Sequence, residues 1–479
     1  MRTPEKEINR LTRICLVSLF SLSLVTGCDR QQPMGKPAAT TVDSFSFDPN
    51  PSTYQPFPRG DVLLTGAIVL DGAGNRFDHM DVLLQDGRIS AVGEEIQAPD
   101  TAVIVDASGR WLTPGIIDVH SHDGTYLLPL TSQDFAISDL SEISEPNAAE
   151  IWIEHGINAQ DFAFRRALAN GVTTIQVLPG SVPVFGGRSV VLKNVPAATV
   201  SGMKFPGASQ GVKMACGENP KSHFGESGDA PTSRMGEIAL MRAAFLEAQV
   251  YQREWQDYWQ QASGEKPPRR NLELETLAGI LNGDFRVHAH CYKADDMSVL
   301  LGVASEFGFR IDAFHHAVEA YKVPELFVDH QICAAVWSDW WGYKLEATDA
   351  IRENAAMLEA AGVCTIMHSD SPVVGQRLNI EASKSMGAGK RAGIDLEPRQ
   401  AITWLTSNPA KALGLEDQVG QVKPGFNADL VLWSANPFSI YSHADQVYID
   451  GALVYDRFNE AEQPRRDSEM AMPISEASP

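Results

Sequence analysis

The sequence predicts an α/β protein: a (β/α)8 TIM-type barrel with a small β-sandwich domain built from both chain ends. Three observations point there. Short apolar runs alternate with helical stretches through the middle of the chain. Seven of the twelve histidines close such runs. A hairpin grammar of alternating apolar residues around Asp-Gly pairs occurs near both ends. The 479 residues, 44% hydrophobic and 21% charged, suffice for a large core.

In chain order, residues 1–27 read as a signal peptide, with Arg2, Lys6, Arg10 and Arg13 ahead of an apolar stretch over 14–27 that is short for a membrane span. Leu24-Val-Thr-Gly-Cys28 resembles a bacterial lipobox. That resemblance implies cleavage before Cys28, lipidation of Cys28 and a protein anchored in the bacterial cell envelope, facing the periplasm. Asp29 resembles an inner-membrane retention signal. Residues 28–58, rich in Pro, Ser, Thr and Gln, read as a lipid-anchored flexible tether. The net charge of −22 and the absence of basic runs exclude nucleic acid as a partner and leave the N-terminal lipid as the only membrane contact. Cys216, Cys291, Cys333 and Cys364 are scattered through apolar runs and read as buried thiols.

Residues 59–113 and 416–460 are expected to form the β-sandwich. Strands over 61–70, 81–85 and 88–92 are punctuated by Asp71-Gly72 and Asp86-Gly87, and strands over 428–433, 446–449 and 452–455 surround Asp450-Gly451. Residues 461–479 read as a flexible tail.

The barrel is assigned to residues 114–415. Strands are expected over 115–119, 171–178, 211–216, 285–289, 310–314, 332–337 and 362–367, and helices over 161–170, 234–261, 294–307 and 349–361. Catalytic groups of such a barrel cluster at the C-terminal strand ends. In Leu112-Thr-Pro-Gly-Ile-Ile-Asp118-Val-His120-Ser-His122 the two histidines share one face of a strand and can hold one metal ion. His288 and His290 also share a face, so parity does not choose between them, whereas only one of the neighbours His315 and His316 is expected to point inward. His368-Ser-Asp370 closes the last expected strand.

These motifs, with Gly211-Val-Lys-Met-Ala-Cys-Gly-Glu-Asn-Pro-Lys221 and Ser407-Asn-Pro-Ala-Lys-Ala-Leu-Gly-Leu415, resemble the imidazolonepropionase-like branch of the amidohydrolase superfamily over residues 59 to 456. The resemblance implies one or two divalent ions, Zn²⁺ by default, held by His120, His122, His290, His316 and Asp370. A bridging carboxylate is implied as well: Glu218, favoured because it needs no CO₂ and sits at the strand end, or a carbamylated Lys213. His288 then lies behind the ligands or touches substrate. His-His-Ala-Val-Glu-Ala-Tyr resembles the family's Glu-His-Gly-Thr-Glu-Ala-Tyr, which selects His316 and turns His315 toward the helical layer. The implied chemistry is cleavage of an amide, cyclic-amide or peptide C–N bond by metal-activated hydroxide, with Asp370 as proton acceptor and donor and His368 orienting it.

Trp337 and Tyr343 are candidates to line a substrate pocket, and Arg188 to hold a substrate carboxylate. Tyr251, Trp255, Tyr258 and Trp259 recur at helical spacing and read as one packing face. A dipeptidase, a cyclic-amide hydrolase and a deaminase are all compatible with the motifs, each acting on a small molecule, and a homo-oligomer stays open. The reading from another class is a catalytically silent lipoprotein that binds a solute or partner. Such a protein is expected to lack a ligand or Asp370, and none is missing.

Overall fold

The computed structural model describes residues 45–126, 132, 137–260, 266–459 and 463–464. The signal peptide, Cys28, Asp29 and most of the expected tail lie outside the described residues. Among the described residues no helix is long and apolar enough to cross a membrane.

The first strands are β1 (Val62–Leu70), β2 (Arg76–Gln85), β3 (Arg88–Gly93), β4 (Val103–Asp106) and β5 (Trp111–Pro114). The middle of the chain supplies β6 (Ile116–Ser121), β7 (Val172–Val177), β8 (Phe185–Arg188), β9 (Val190–Lys193), β10 (Gly211–Ala215), β11 (Arg286–Cys291), β12 (Ala313–His316), β13 (Cys333–Val336) and β14 (Cys364–Met367). The last three are β15 (Leu430–Trp433), β16 (Ala444–Ile449) and β17 (Ala452–Asp456).

Both chain ends share one sheet, ordered β17-β16-β15-β5-β1-β2-β3 with β4 beside β1. The join is the antiparallel pairing of β5 with β15, Trp111 opposite Trp433. The hairpin grammar holds at two of the three Asp-Gly pairs: Asp86 and Gly87 take φ of 50° and 81°, and Asp450 and Gly451 take 46° and 74°, the left-handed values that a two-residue turn between twisted strands demands, whereas Asp71 and Gly72 open a longer loop to Arg76. Leu64, Val82, Leu84, Leu112, Leu430 and Leu432 form the apolar layer of this sheet.

In the middle, β6 runs parallel to β7, and β10 through β14 pair in parallel in sequence order. Helices Phe162–Leu168, Arg234–Gln260, Ala294–Phe307 and Asn354–Ala360 fall where the apolar periodicity puts them. One segment was not foreseen. β8 and β9, separated only by Ser189, run antiparallel to β10 and to β7 and so connect the two parallel groups. Glycines hide it from a strand pattern, yet Gly187 is required: its φ is 99°, and a Cβ there would stand 2.3 Å from the Ile151 carbonyl oxygen.

Two expectations are corrected. The second half of the expected tether is seated on the protein. Phe45 is buried against Tyr251 and Trp259 on the predicted packing face, its N–H donating to Asp284 at 2.7 Å, and the Tyr54 hydroxyl donates to Asp450 at 2.6 Å. The four described cysteines are not free thiols: Cys216 pairs with Cys291 and Cys333 with Cys364, at Cα separations of 5.4 and 4.5 Å. Each disulfide joins neighbouring parallel strands, which bring together residues 75 and 31 positions apart in the chain.

Candidate active site

The C-terminal ends of β6, β11, β12 and β14 meet at a cluster of buried imidazoles. The alternation of β6 sends His120 and His122 to the same side, and the chain after β14 crosses to meet them, the Asp370 N–H donating to the His120 carbonyl at 2.8 Å. Asp370 has φ 55°, an uncommon conformation for a residue with a side chain, held here by that bond. Its Oδ1 lies 3.1 Å from His122 Nε2 and 3.2 Å from His120 Nε2. His120, His122 and Asp370 form one group of donor atoms within 4.8 Å of one another, and His120, His316 and His368 form a second.

The protonation pattern follows from the neighbours. His122 Nδ1 faces the Leu178 carbonyl at 2.8 Å and donates to it, while Nε2 faces Asp370. Lys213 Nζ donates to His120 Nε2 at 3.2 Å and to the Pro179 carbonyl at 3.2 Å. His120 therefore carries its proton on Nδ1, 2.9 Å from His315 Nδ1, and His315 Nε2 in turn lies 2.9 Å from His288 Nδ1. Burial holds His120 and His315 well below the usual imidazole pKa and His288 down to about 3, so the chain of rings is neutral. His120 Nε2 and His122 Nε2 thus converge on one carboxylate oxygen, Asp370 Oδ1. Both ring nitrogens of His290 and of His368, and Nδ1 of His316, are buried without a hydrogen-bond partner among the described residues. Orphaned nitrogen donors of this kind fit a divalent metal.

His290 stands beyond these groups, its ring 4.4 Å from that of His316 and 4.9 Å from that of Tyr292. Trp337 packs 4.3 Å from His316 and stacks on Trp340 at 4.4 Å, and Tyr343 shares a hydroxyl–hydroxyl bond with Tyr292, so both predicted aromatics border the histidine cluster.

Several expectations are overturned. Lys213, not Glu218, touches the cluster. Gly217, with φ 89°, turns the chain sharply, and the Glu218 carboxylate accepts the N–H of Glu346 at 3.1 Å. Lys213 remains inside β10, fully buried, and burial pushes its ammonium down to about 7, against the opposing pull of Asp370. His315 does not face the helical layer. The left-handed backbone of His316, φ 71°, breaks strict alternation and lets both neighbouring rings face the interior. His368 makes no hydrogen bond to Asp370 and joins the donor group instead. Arg188 is buried between the rings of Trp152 and Phe285, at 4.5 and 4.4 Å, and donates to Thr276 at 2.9 Å, which removes it from any substrate pocket. His288 touches His315, behind the centre.

Comparison with known proteins gives a consistent set of relatives. A family model described as the amidohydrolase family matches residues 344–455. A crystal structure of an amidohydrolase from Thermotoga maritima MSB8 matches with a TM-score of 0.76 and 34% identity over 83% of this chain and 100% of that one. The amidohydrolase tasK of Hapsidospora irregularis is 33% identical over 400 residues, 78% of this chain; the chain spans only 40% of that relative's length. An imidazolonepropionase of Hahella chejuensis is 25% identical over 362 residues, 69% of this chain and 80% of the relative.

Proposed function

For a chain that belongs to the amidohydrolase superfamily, as this one does, we propose hydrolysis of an amide, cyclic-amide or peptide C–N bond at a divalent-metal centre held by His120, His122, His316, His368 and Asp370, with His290 beside it. The observation that carries the reading is the convergence of His120 Nε2 and His122 Nε2 on Asp370 Oδ1, at 3.2 and 3.1 Å, beside the orphaned ring nitrogens of His316 and His368. A bound divalent ion, Zn²⁺ by default, supplies an acidified water and polarises the carbonyl of the substrate.

The side chains do the rest. Asp370 takes the proton of the attacking water and returns it to the leaving nitrogen. Lys213, in contact with His120 and pushed toward its neutral form by burial, is the chain's candidate for carbamylation: its amine would attack CO₂ and lose a proton, and the carbamate would supply the metal centre with a carboxylate. Tyr292 and Trp337 close one wall against water. The (β/α)8 barrel is part of the same reading, supported by the antiparallel β8–β9 link and by the Asp370–His120 bond between last and first strands. So is the envelope lipoprotein: its supports are the lipobox-like residues before Cys28 and two disulfides, which persist in oxidising compartments.

The test is a panel of N-acyl amino acids, dipeptides and cyclic ureides offered to Zn²⁺-loaded protein. Turnover of at least one, abolished by chelation and restored by metal, is expected. Exclusive release of ammonia from an aminated ring would replace amide hydrolysis with deamination.

A further inference from the structure

We infer that Lys344 is the recognition site for a free carboxylate on the substrate, which makes N-acyl amino acids and dipeptides the substrate class. The inference rests on the hydrolase reading and narrows it.

Three strand ends deliver the parts. Tyr292 follows β11, Asn219 lies in the first turn of the helix Glu218–Ser227 that follows β10, and Tyr343 and Lys344 belong to the loop after β13. The Lys344 ammonium lies 3.9 Å from the centre of the Tyr292 ring and 5.9 Å from that of Tyr343. It donates to Asn219 Oδ1, whose own amide is fixed by donation to Ser181 Oγ at 2.7 Å. These contacts hold the cation in one place without neutralising it. Among the described residues no carboxylate lies within ion-pair distance of Lys344. Arg234 and Lys293 nearby are each committed, to Asp296 at 3.1 Å and to Glu319.

The position faces the chemistry. The Tyr292 ring under Lys344 stacks on His316 at 5.1 Å and meets His290 at 4.9 Å, so a single aromatic ring separates the ammonium from the donor cluster. Burial lowers the Lys344 ammonium below the usual lysine pKa, and Glu346, Glu218 and Asp370 pull the other way without reversing it. A partly desolvated ammonium without a counterion gains most from a ligand that brings the opposite charge within a few bonds of the scissile carbonyl. Arg188, the candidate for that task from sequence, is sequestered elsewhere.

The experiment pairs dipeptides and N-acetyl amino acids with their carboxamides, using Zn²⁺-loaded wild type, Lys344→Met and Lys344→Arg. Steady-state rates form one arm and calorimetric binding the other, with zinc content as the check on folding. Wild type is expected to favour the acid over its amide by about 10- to 100-fold, the scale of one charged hydrogen bond, chiefly through KM. Lys344→Met is expected to bring that ratio to within about threefold of unity, and Lys344→Arg to keep most of it. Equal losses on acid and amide, or a wild type indifferent to the carboxylate, overturn the inference. A wild type that binds acids selectively yet cleaves nothing on the panel overturns the hydrolase reading and supports the assignment of Lys344.

Discussion

Two buried lysines mark two kinds of region in this molecule. Lys193, at the boundary between the end-built sheet and the parallel strands, is satisfied: it pairs with Asp450 at 2.8 Å and Asp429 at 3.2 Å, and its charge lies 4.6 Å from the Phe205 ring. Asp450 in turn accepts the Tyr54 hydroxyl. Lys213, equally buried, has an imidazole nitrogen and a carbonyl as its hydrogen-bond partners and no carboxylate. The rings around it carry orphaned nitrogens. A buried polar cluster that exists to hold a fold closes its own hydrogen bonds. One left open in the same interior is waiting for something the chain does not supply.

The contrast makes predictions of decreasing size. Lys193→Met strands two buried carboxylates and is expected to cost about 3–5 kcal/mol of stability, measured by denaturant unfolding, with metal affinity unchanged. A large loss of metal affinity would dissolve the distinction between the two clusters. Asp370→Asn keeps the fold but removes the proton carrier, and turnover is expected to fall by about 10²-fold or more on any substrate found. His315→Phe breaks the ring chain that keeps the His120 proton on Nδ1; chelator competition is expected to show metal affinity lower by about tenfold or more.

A further effect is one of pH. Burial raises Glu237 to about 7, and its Oε1 lacks a partner among the described residues. A raised acid favours the folded state while protonated, so this contribution is full below the unfolded pKa near 4.5 and is lost as pH climbs through 7. Glu237→Gln is therefore expected to be neutral near pH 5 and to stabilise by about 1–3 kcal/mol near pH 8.

Much of this was legible in the sequence because it rests on periodicity. Alternation put His120 and His122 on one face, and Asp-Gly pairs located the hairpins that join the chain ends. What escaped depends on single backbone angles or on contacts between distant segments. Gly217 swings Glu218 away while Lys213 stays inside, and the left-handed His316 turns its neighbour His315 inward. The cystines and the cage around Arg188 join residues that no local pattern relates.

The open cluster makes one demand above all, a resident cation, and elemental analysis of the purified chain tests it directly. Wild type loaded with Zn²⁺ is expected to carry close to two divalent ions per chain; Lys213→Ala is expected to carry fewer, with partial recovery in short carboxylic acids, and Glu218→Gln the full complement. A wild-type chain that retains no metal after loading and desalting would contradict the account.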